Sequence, residues 1–160
     1  MDMLSFLETV DLFKGMRDDQ IEAIQPCCEP AEIKRGERIF REGEDARYLY
    51  VVMEGQVELR EEGNEGNAED APVISNLFEG NAFGWSTLVS PYKYYLSAYS
   101  TSRTCKVLKI ERERFTKLIE ANAGIGYPIM TKILALIGRR FDELEEKVIK
   151  RLGHDMISHW

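Results

Sequence analysis

Between Ala31 and Ile110 the apolar residues of this chain come only in short runs, broken by glycines and polar turns. None is long enough to form a helix face, so the middle of the chain must fold as short strands. Ile39 and Phe40 predict one strand, and Tyr48 to Met53, rich in β-branched and aromatic residues, a second. Glu54-Gly55 predicts a tight turn, and Gln56 to Arg60 return with Val57 and Leu59 on one face. Val73 to Phe78, Leu96 to Ser100 and Cys105 to Ile110 read as further strands. The polar, acidic stretch 61–71, EEGNEGNAEDA, reads as a hairpin tip, and its acids do not match the spacing of an EF-hand loop. Gly80 to Ser90 reads as a turn and a short helix.

Helical spacing takes over at both ends. Leu4, Phe6, Leu7, Val10, Leu12 and Phe13 predict a first helix, with Ser5 and Glu8 spaced as a weak capping box. After Gly15, Asp18 and Asp19 open a second helix carrying Ile21 and Ile24, which Pro26 ends. Glu111 to Ala121 read as a helix with Phe115, Leu118 and Ile119 on one side. Gly124 and Gly126 then interrupt, and a long helix is expected from Tyr127 to Leu152, with Pro128 in its first turn. The expected class is α+β. N-terminal helices (1–27) precede a β-roll (28–110), a double-stranded β-helix or jelly roll of about eight strands, and C-terminal helices (111–160) follow, all as one domain.

Composition narrows the function classes. A net charge of −7 disfavours nonspecific attraction to nucleic acid or anionic lipid. No apolar run reaches the ~20 residues needed to span a bilayer, and the N-terminus lacks the basic start of a secretory signal. A cytoplasmic location is the expectation. Cys27, Cys28 and Cys105 are an odd set without metal-site spacing, so neither a disulfide framework nor a zinc site is expected. The histidines, His154 and His159, lie in the last seven residues, and with Asp155 they do not make a metal site. No catalytic constellation is present, so neither an enzyme nor a cofactor is expected.

The long helix carries a heptad seam. Met130, Leu134, Ile137, Phe141, Leu144, Val148 and Arg151 recur at alternating steps of four and three. Ile129, Ile133 and Leu136 form a second stripe beside it. One stripe can cover the β-roll while the other meets a second copy of the chain, so a homodimer through this helix is expected.

The segment from Gly80 to Ser100, GNAFGWSTLVSPYKYYLSAYS, resembles the phosphate-binding cassette of cyclic-nucleotide-binding domains, the sensor modules of catabolite-activator regulators and of cyclic-nucleotide-gated kinases and channels. Three other stretches carry the same resemblance in the same order: LFKGMRDDQIEAI, RGERIFREGEDARYLYVVMEGQVEL and CKVLKIERERFTKLI. The family likeness covers residues 12 to about 150. The resemblance implies the β-roll fold, a parallel dimer through the long helix and a regulatory role without catalysis. It does not imply DNA binding, because the helix-turn-helix of the catabolite activators does not follow here.

The resemblance also implies a ligand site on the cassette, at Phe83, Gly84, Trp85, Ser86, Thr87, Lys93, Tyr95, Leu96 and Ser97. Two charged family positions are replaced. Trp85 stands where a glutamate accepts from a ribose hydroxyl, and Tyr95 where an arginine pairs with the cyclic phosphate. Breaking such a buried pair typically costs ~3–5 kcal/mol, at least about a hundredfold in affinity. Cyclic AMP or cyclic GMP is therefore not expected to bind in the usual way. Backbone donors at Gly84, Trp85 and Ser86 remain, and Lys93 or Arg103 is positioned to bring a replacement cation. Three readings stay open: a sensor for some other ligand, a nucleotide site served by Lys93, and an interaction scaffold whose aromatics fill the pocket.

Overall fold

In a computed structural model the chain is described over residues 2–62 and 71–158, with the side chains of Leu144 and of residues from 154 onward left aside. Helices α1 (Met3–Thr9) and α2 (Asp18–Ile24) lead into eight strands: β1 (Cys28–Ile33), β2 (Arg38–Phe40), β3 (Tyr48–Glu54), β4 (Val57–Arg60), β5 (Val73–Leu77), β6 (Ala82–Phe83), β7 (Ser97–Ser100) and β8 (Cys105–Glu111). Helices α3 (Arg112–Ala121) and α4 (Ala123–Ser158) close the chain. The strands form two antiparallel four-stranded sheets, ordered β1-β8-β3-β6 and β2-β7-β4-β5. The expected α+β roll is the observed architecture.

The first sheet is apolar on both faces because its central strands alternate two kinds of burial. Leu49 and Val51 of β3, paired with Ile110 and Leu108 of β8, face the helices. They meet Phe6, Leu7, Ile21, Ile24, Phe115, Ile125 and Ile129. Tyr50, Val52 and Val107 point into the roll, where Phe40, Val57, Leu59, Leu77, Phe83 and Ala98 close a second core. Alternation at a period of two thus builds two cores from one sheet.

Several local expectations are corrected. The N-cap of α1 is Asp2, whose carboxylate accepts from the Ser5 N–H at 2.7 Å, so no Ser5–Glu8 box forms. Strands β1 and β6 went unread: β1 lacks an apolar alternation, carrying Glu29, Pro30 and Glu32, and β6 is two residues long. Glu62, assigned to the polar hairpin tip, is buried, while residues 63–70 of that expected tip lie outside the described residues.

The long helix begins at Ala123 rather than Tyr127. Asn122 makes the start possible: its side chain accepts from the Gly124 N–H at 3.1 Å, and its carbonyl accepts from Ile125 and Gly126. Pro128 therefore sits in the second turn, where it withholds a backbone donor from the Gly124 carbonyl. Gln20 of α2 supplies the replacement, its amide donating to that carbonyl at 3.0 Å. Gly126 lets α3 approach, since a Cβ there would meet the Ile119 carbonyl oxygen at 2.9 Å.

Candidate functional site

The cassette begins with a backbone bend that favours glycine. Gly84 has φ +78, and a Cβ on it would crowd the Tyr94 ring and the Tyr48 carbonyl. A single 3-10 turn, Trp85–Leu88, follows. Thr87, expected as a ligand contact, is fully buried, and its hydroxyl donates to the Tyr48 carbonyl at 2.8 Å. Phe83 is likewise a core residue. The Thr87 N–H is spent on Gly84, and a four-residue turn has little dipole to offer an anion.

The loop after this turn docks on the segment between β2 and β3. Gly43 N–H donates to the Tyr94 carbonyl at 2.8 Å, Tyr94 N–H to Glu44 at 3.0 Å, and Ala46 N–H to Tyr92 at 2.8 Å. This pairing alternates the side chains. Tyr94 turns inward, stacks on Phe40 with ring centroids 3.7 Å apart, and donates its hydroxyl to the Tyr48 carbonyl at 2.7 Å. Burial pushes that hydroxyl up to about 12. Lys93 turns outward into an ion pair with Asp45, whose carboxyl it holds below the usual carboxylate range by hydrogen bond and charge. Arg103 is exposed in the turn between β7 and β8. Neither cation lines the cavity.

Trp85 and Tyr95 flank the mouth of a cavity of about 430 Å³, their ring centroids 5.7 Å apart and Tyr95 51% exposed. Gly84, Ser86 and Leu96 join them in its wall, with Phe40, Leu59 and Tyr94 from the roll interior. Such a volume suits a small organic molecule. The aromatics at the replaced positions thus border the space without filling it. Among the expected contacts the structure brings together Gly84, Trp85, Ser86, Tyr95 and Leu96. Ser97 lies fully buried beside them, accepting from the Glu42 N–H at 2.9 Å and donating to Glu62 at 3.0 Å. Glu62 faces Arg38 and Arg41 at 4.0 and 3.9 Å.

Sequence reasoning missed the charged lining. Glu42 and Glu61 come from the roll, and Glu143, Arg140 and Lys147 from α4. A sign was available for the first: Glu42 lies two residues beyond Phe40, so strand alternation turns it to the inner face, whereas an irregularity in the pairing after Leu59 hides the setting of Glu61. The α4 residues reach the cavity because the helix lies back across the roll. Ile125, Ile129 and Ile133 bury against it, Ile137 and Phe141 line the cavity, and Lys147 donates to the Ile74 carbonyl at 3.4 Å. Arg140 is half buried, its pKa lowered first by desolvation, and its Nε has no hydrogen-bond partner among the described residues.

The cyclic nucleotide-binding domain model matches residues 30–122. The chain belongs to that family. It is similar to human cGMP-dependent protein kinase 2, with 27% identity over 115 residues, 72% of this chain and 15% of the kinase. It is also similar to the cAMP-dependent protein kinase regulatory subunit of Dictyostelium discoideum, with 26% identity over 71% of this chain and 34% of that one. The chain thus spans between about a seventh and a third of these two relatives. Among solved structures, a protein of Geobacter metallireducens GS-15, described only as a candidate cyclic nucleotide-binding protein, superposes with a TM-score of 0.74 and 27% identity, covering 88% of this chain and 99% of that one. The Thermus thermophilus catabolite activator protein shares the fold, with a TM-score of 0.71 at 23% identity over 92% of this chain and 63% of that one. Among the described residues no group of potential metal ligands clusters, and no helix is long and apolar enough to cross a membrane.

Proposed function

We propose that this cyclic-nucleotide-binding-type domain is a non-catalytic sensor whose cavity takes a planar, largely apolar ligand rather than cyclic AMP or cyclic GMP in the family's usual way. The observation that carries this is the cavity beside Trp85 and Tyr95, open and walled by aromatic and aliphatic side chains. Its charged groups argue against an anionic phosphate. Three carboxylates, Glu42, Glu61 and Glu143, face two cations, Arg140 and Lys147, and neither cation comes from the cassette. A self-filled scaffold is less well supported, because Tyr94 packs into the core while Trp85 and Tyr95 stay at the rim.

Regulation would pass through α4. Ile137, Arg140 and Phe141 belong both to that helix and to the cavity wall, so a ligand touching them binds one helix position better than another. The exposed Leu134, Phe141 and Val148 leave the heptad seam open to a second copy, and a homodimer is part of this reading.

The test uses N-phenyl-1-naphthylamine, a neutral planar probe that fluoresces in apolar sites. It should bind the wild-type chain and bind Trp85→Ala about tenfold more weakly. Cyclic AMP and cyclic GMP at about 1 mM should neither displace it nor stabilise the fold. A nucleotide at a hundred times its dissociation constant would add ~2.7 kcal/mol of stability. A gain of that size, lost on substituting Ser86 or Tyr95, would overturn the proposal in favour of a nucleotide site.

A further inference from the structure

A second cavity of about 430 Å³ lies on the other flank of α4, between that helix, the 3-10 turn Asp11–Phe13 after α1 and the segment that runs from β5 to β6. Nothing in the cassette resemblance concerns it. Its charge is opposite to that of the first cavity. Lys14, Lys132, Arg139 and Arg140 line it, against two carboxylates, Asp11 and Glu143. This cationic excess sits in a chain whose net charge is −7, so it is a local arrangement and not a bulk property.

The two carboxylates offset only part of the charge of the four cations. Asp11 is engaged by Lys14 at 2.7 Å and by the Asn81 amide at 3.4 Å. Glu143 is exposed. The Lys132 ammonium is turned to the Lys14 carbonyl, and its pKa is lowered first by desolvation, a fall that the Asp11 charge opposes and the Lys14 charge adds to. The Nε of Arg140 is buried without a hydrogen-bond partner among the described residues, and desolvation lowers the pKa of its guanidinium, opposed by the Glu143 charge and reinforced by Arg139. Ser75 and Asn81 add neutral polar groups to the wall.

Helix geometry sets the shape of what would fit. Lys132, Leu136, Arg139 and Glu143 recur at steps of four, three and four, so they share one face of α4. Lys132 and Arg139 are two turns apart, about 10 Å along the axis at 1.5 Å per residue. A single tetrahedral oxyanion is too short to satisfy both ends, whereas a chain of linked phosphates spans cations so spaced. We infer that this cavity is a binding site for an extended, multiply charged phosphate anion of the di- or triphosphate class, held by Lys132, Arg139 and Arg140 on α4 and Lys14 opposite. Because Arg140 also lines the cassette cavity, an anion that draws its guanidinium away changes the wall of the first site, and the two sites become coupled.

The experiment is calorimetric titration of the full chain with inorganic pyrophosphate at low salt, with orthophosphate and ADP in parallel. Pyrophosphate should bind at least about tenfold more tightly than orthophosphate. Lys132→Gln/Arg139→Gln should weaken it about tenfold or more, while Lys34→Gln/Arg35→Gln, a cationic pair remote from the cavity, should not. Without anion, the Lys132/Arg139 variant should keep the wild-type circular dichroism and a single cooperative urea transition; this separates lost binding from lost folding. ADP bound as tightly as pyrophosphate and weakened by the same variant identifies a nucleotide source, and pyrophosphate alone an inorganic one. No binding to the wild-type chain at millimolar pyrophosphate, or equal weakening by both double variants, would overturn the inference. Trp85→Ala should leave pyrophosphate binding intact, so the outcome does not depend on what the first cavity accepts.

Discussion

Gly126 and Gly124 lie in the first turn of α4 and differ in one respect, and the difference gives a measurable prediction. A Cβ at Gly126 would stand 2.8 Å from Ile119 Cγ2 and 2.9 Å from the Ile119 carbonyl oxygen. The methyl can rotate away, but the carbonyl is fixed in the backbone of α3. A Cβ at Gly124 would meet two side-chain tips, Asn122 Oδ1 at 3.2 Å and Gln20 Nε2 at 3.8 Å, both free to give. Alanine raises helix propensity by roughly 1 kcal/mol at either position, so that gain cancels in the comparison. Overpacking against fixed atoms costs about 1–3 kcal/mol. Gly126→Ala should therefore be about 1–3 kcal/mol less stable than Gly124→Ala. At about 2–4 °C per kcal/mol for a chain of this size, the midpoints should separate by several degrees. Urea unfolding followed by tryptophan fluorescence gives the free energies, and thermal melts the midpoints. The crossing also aims α4 over the cavity, so Gly126→Ala should weaken the naphthylamine probe more than Gly124→Ala does. Equal stability of the two variants would refute the reasoning, because the packing argument would then have no measurable consequence.

Two further outcomes are expected. Burial raises the Cys28 thiol from 9.0 to about 12, and the Tyr94 hydroxyl from 10.0 to about 12. The folded state holds these protons more tightly than the unfolded chain, so their contribution is complete below about pH 9 and is lost as the pH climbs toward 12. Urea midpoints should fall between about pH 8 and pH 10.5, and Cys28→Ala should flatten the fall by less than ~1.4 kcal/mol per pH unit, since the thiol is half buried. An identical slope in that variant would exclude the thiol as a contributor. For the proposed dimer, Leu134 and Phe141 are 68% and 65% exposed. Leu134→Glu/Phe141→Glu should halve the sedimenting mass while leaving the circular dichroism of the fold unchanged, and an unaltered mass would refute the seam as the contact.

Alternation and glycine punctuation located six of the eight strands, because each of those carries a visible apolar pattern. The two that went unread are those whose sequence hides their setting. Strand β1 shows three exposed residues of six, and β6 is only Ala82 and Phe83. The start of α4 was misplaced for a nonlocal reason: Gly124 and Gly126 look like an interruption and Pro128 like a first-turn residue until Gln20, more than a hundred residues away, satisfies the carbonyl that Pro128 leaves free. The cassette's frame was legible at Gly84, Trp85, Tyr95 and Leu96. Lys93 was assigned to the site on sequence distance alone, whereas the pairing of its loop with the segment before β3 sends it outward to Asp45. Glu62 was misread because a run of polar residues does not show which of them an adjacent buried Ser97 will draw inward.

These particulars show that the shape of the cassette segment does not depend on the side chains at 85 and 95. The loop is held by backbone hydrogen bonds to Gly43, Glu44 and Ala46, and by Tyr94, whose ring stacks on Phe40 and whose hydroxyl bonds to Tyr48. Thr87 fastens the preceding turn to the same carbonyl. None of these contacts uses the side chains at 85 or 95, which sit at the rim. If the proposed sensor reading holds, scaffold and ligand chemistry rest on different residues. Substituting Trp85 or Tyr95 should then change what the cavity prefers at little structural cost, whereas truncating Tyr94 removes a stacked ring and leaves the buried Tyr48 carbonyl with the Thr87 hydroxyl. On that proposal the rim is where selectivity would change without refolding the chain, and α4, which lines the same cavity with Ile137, Arg140 and Phe141, is the element that would report the change.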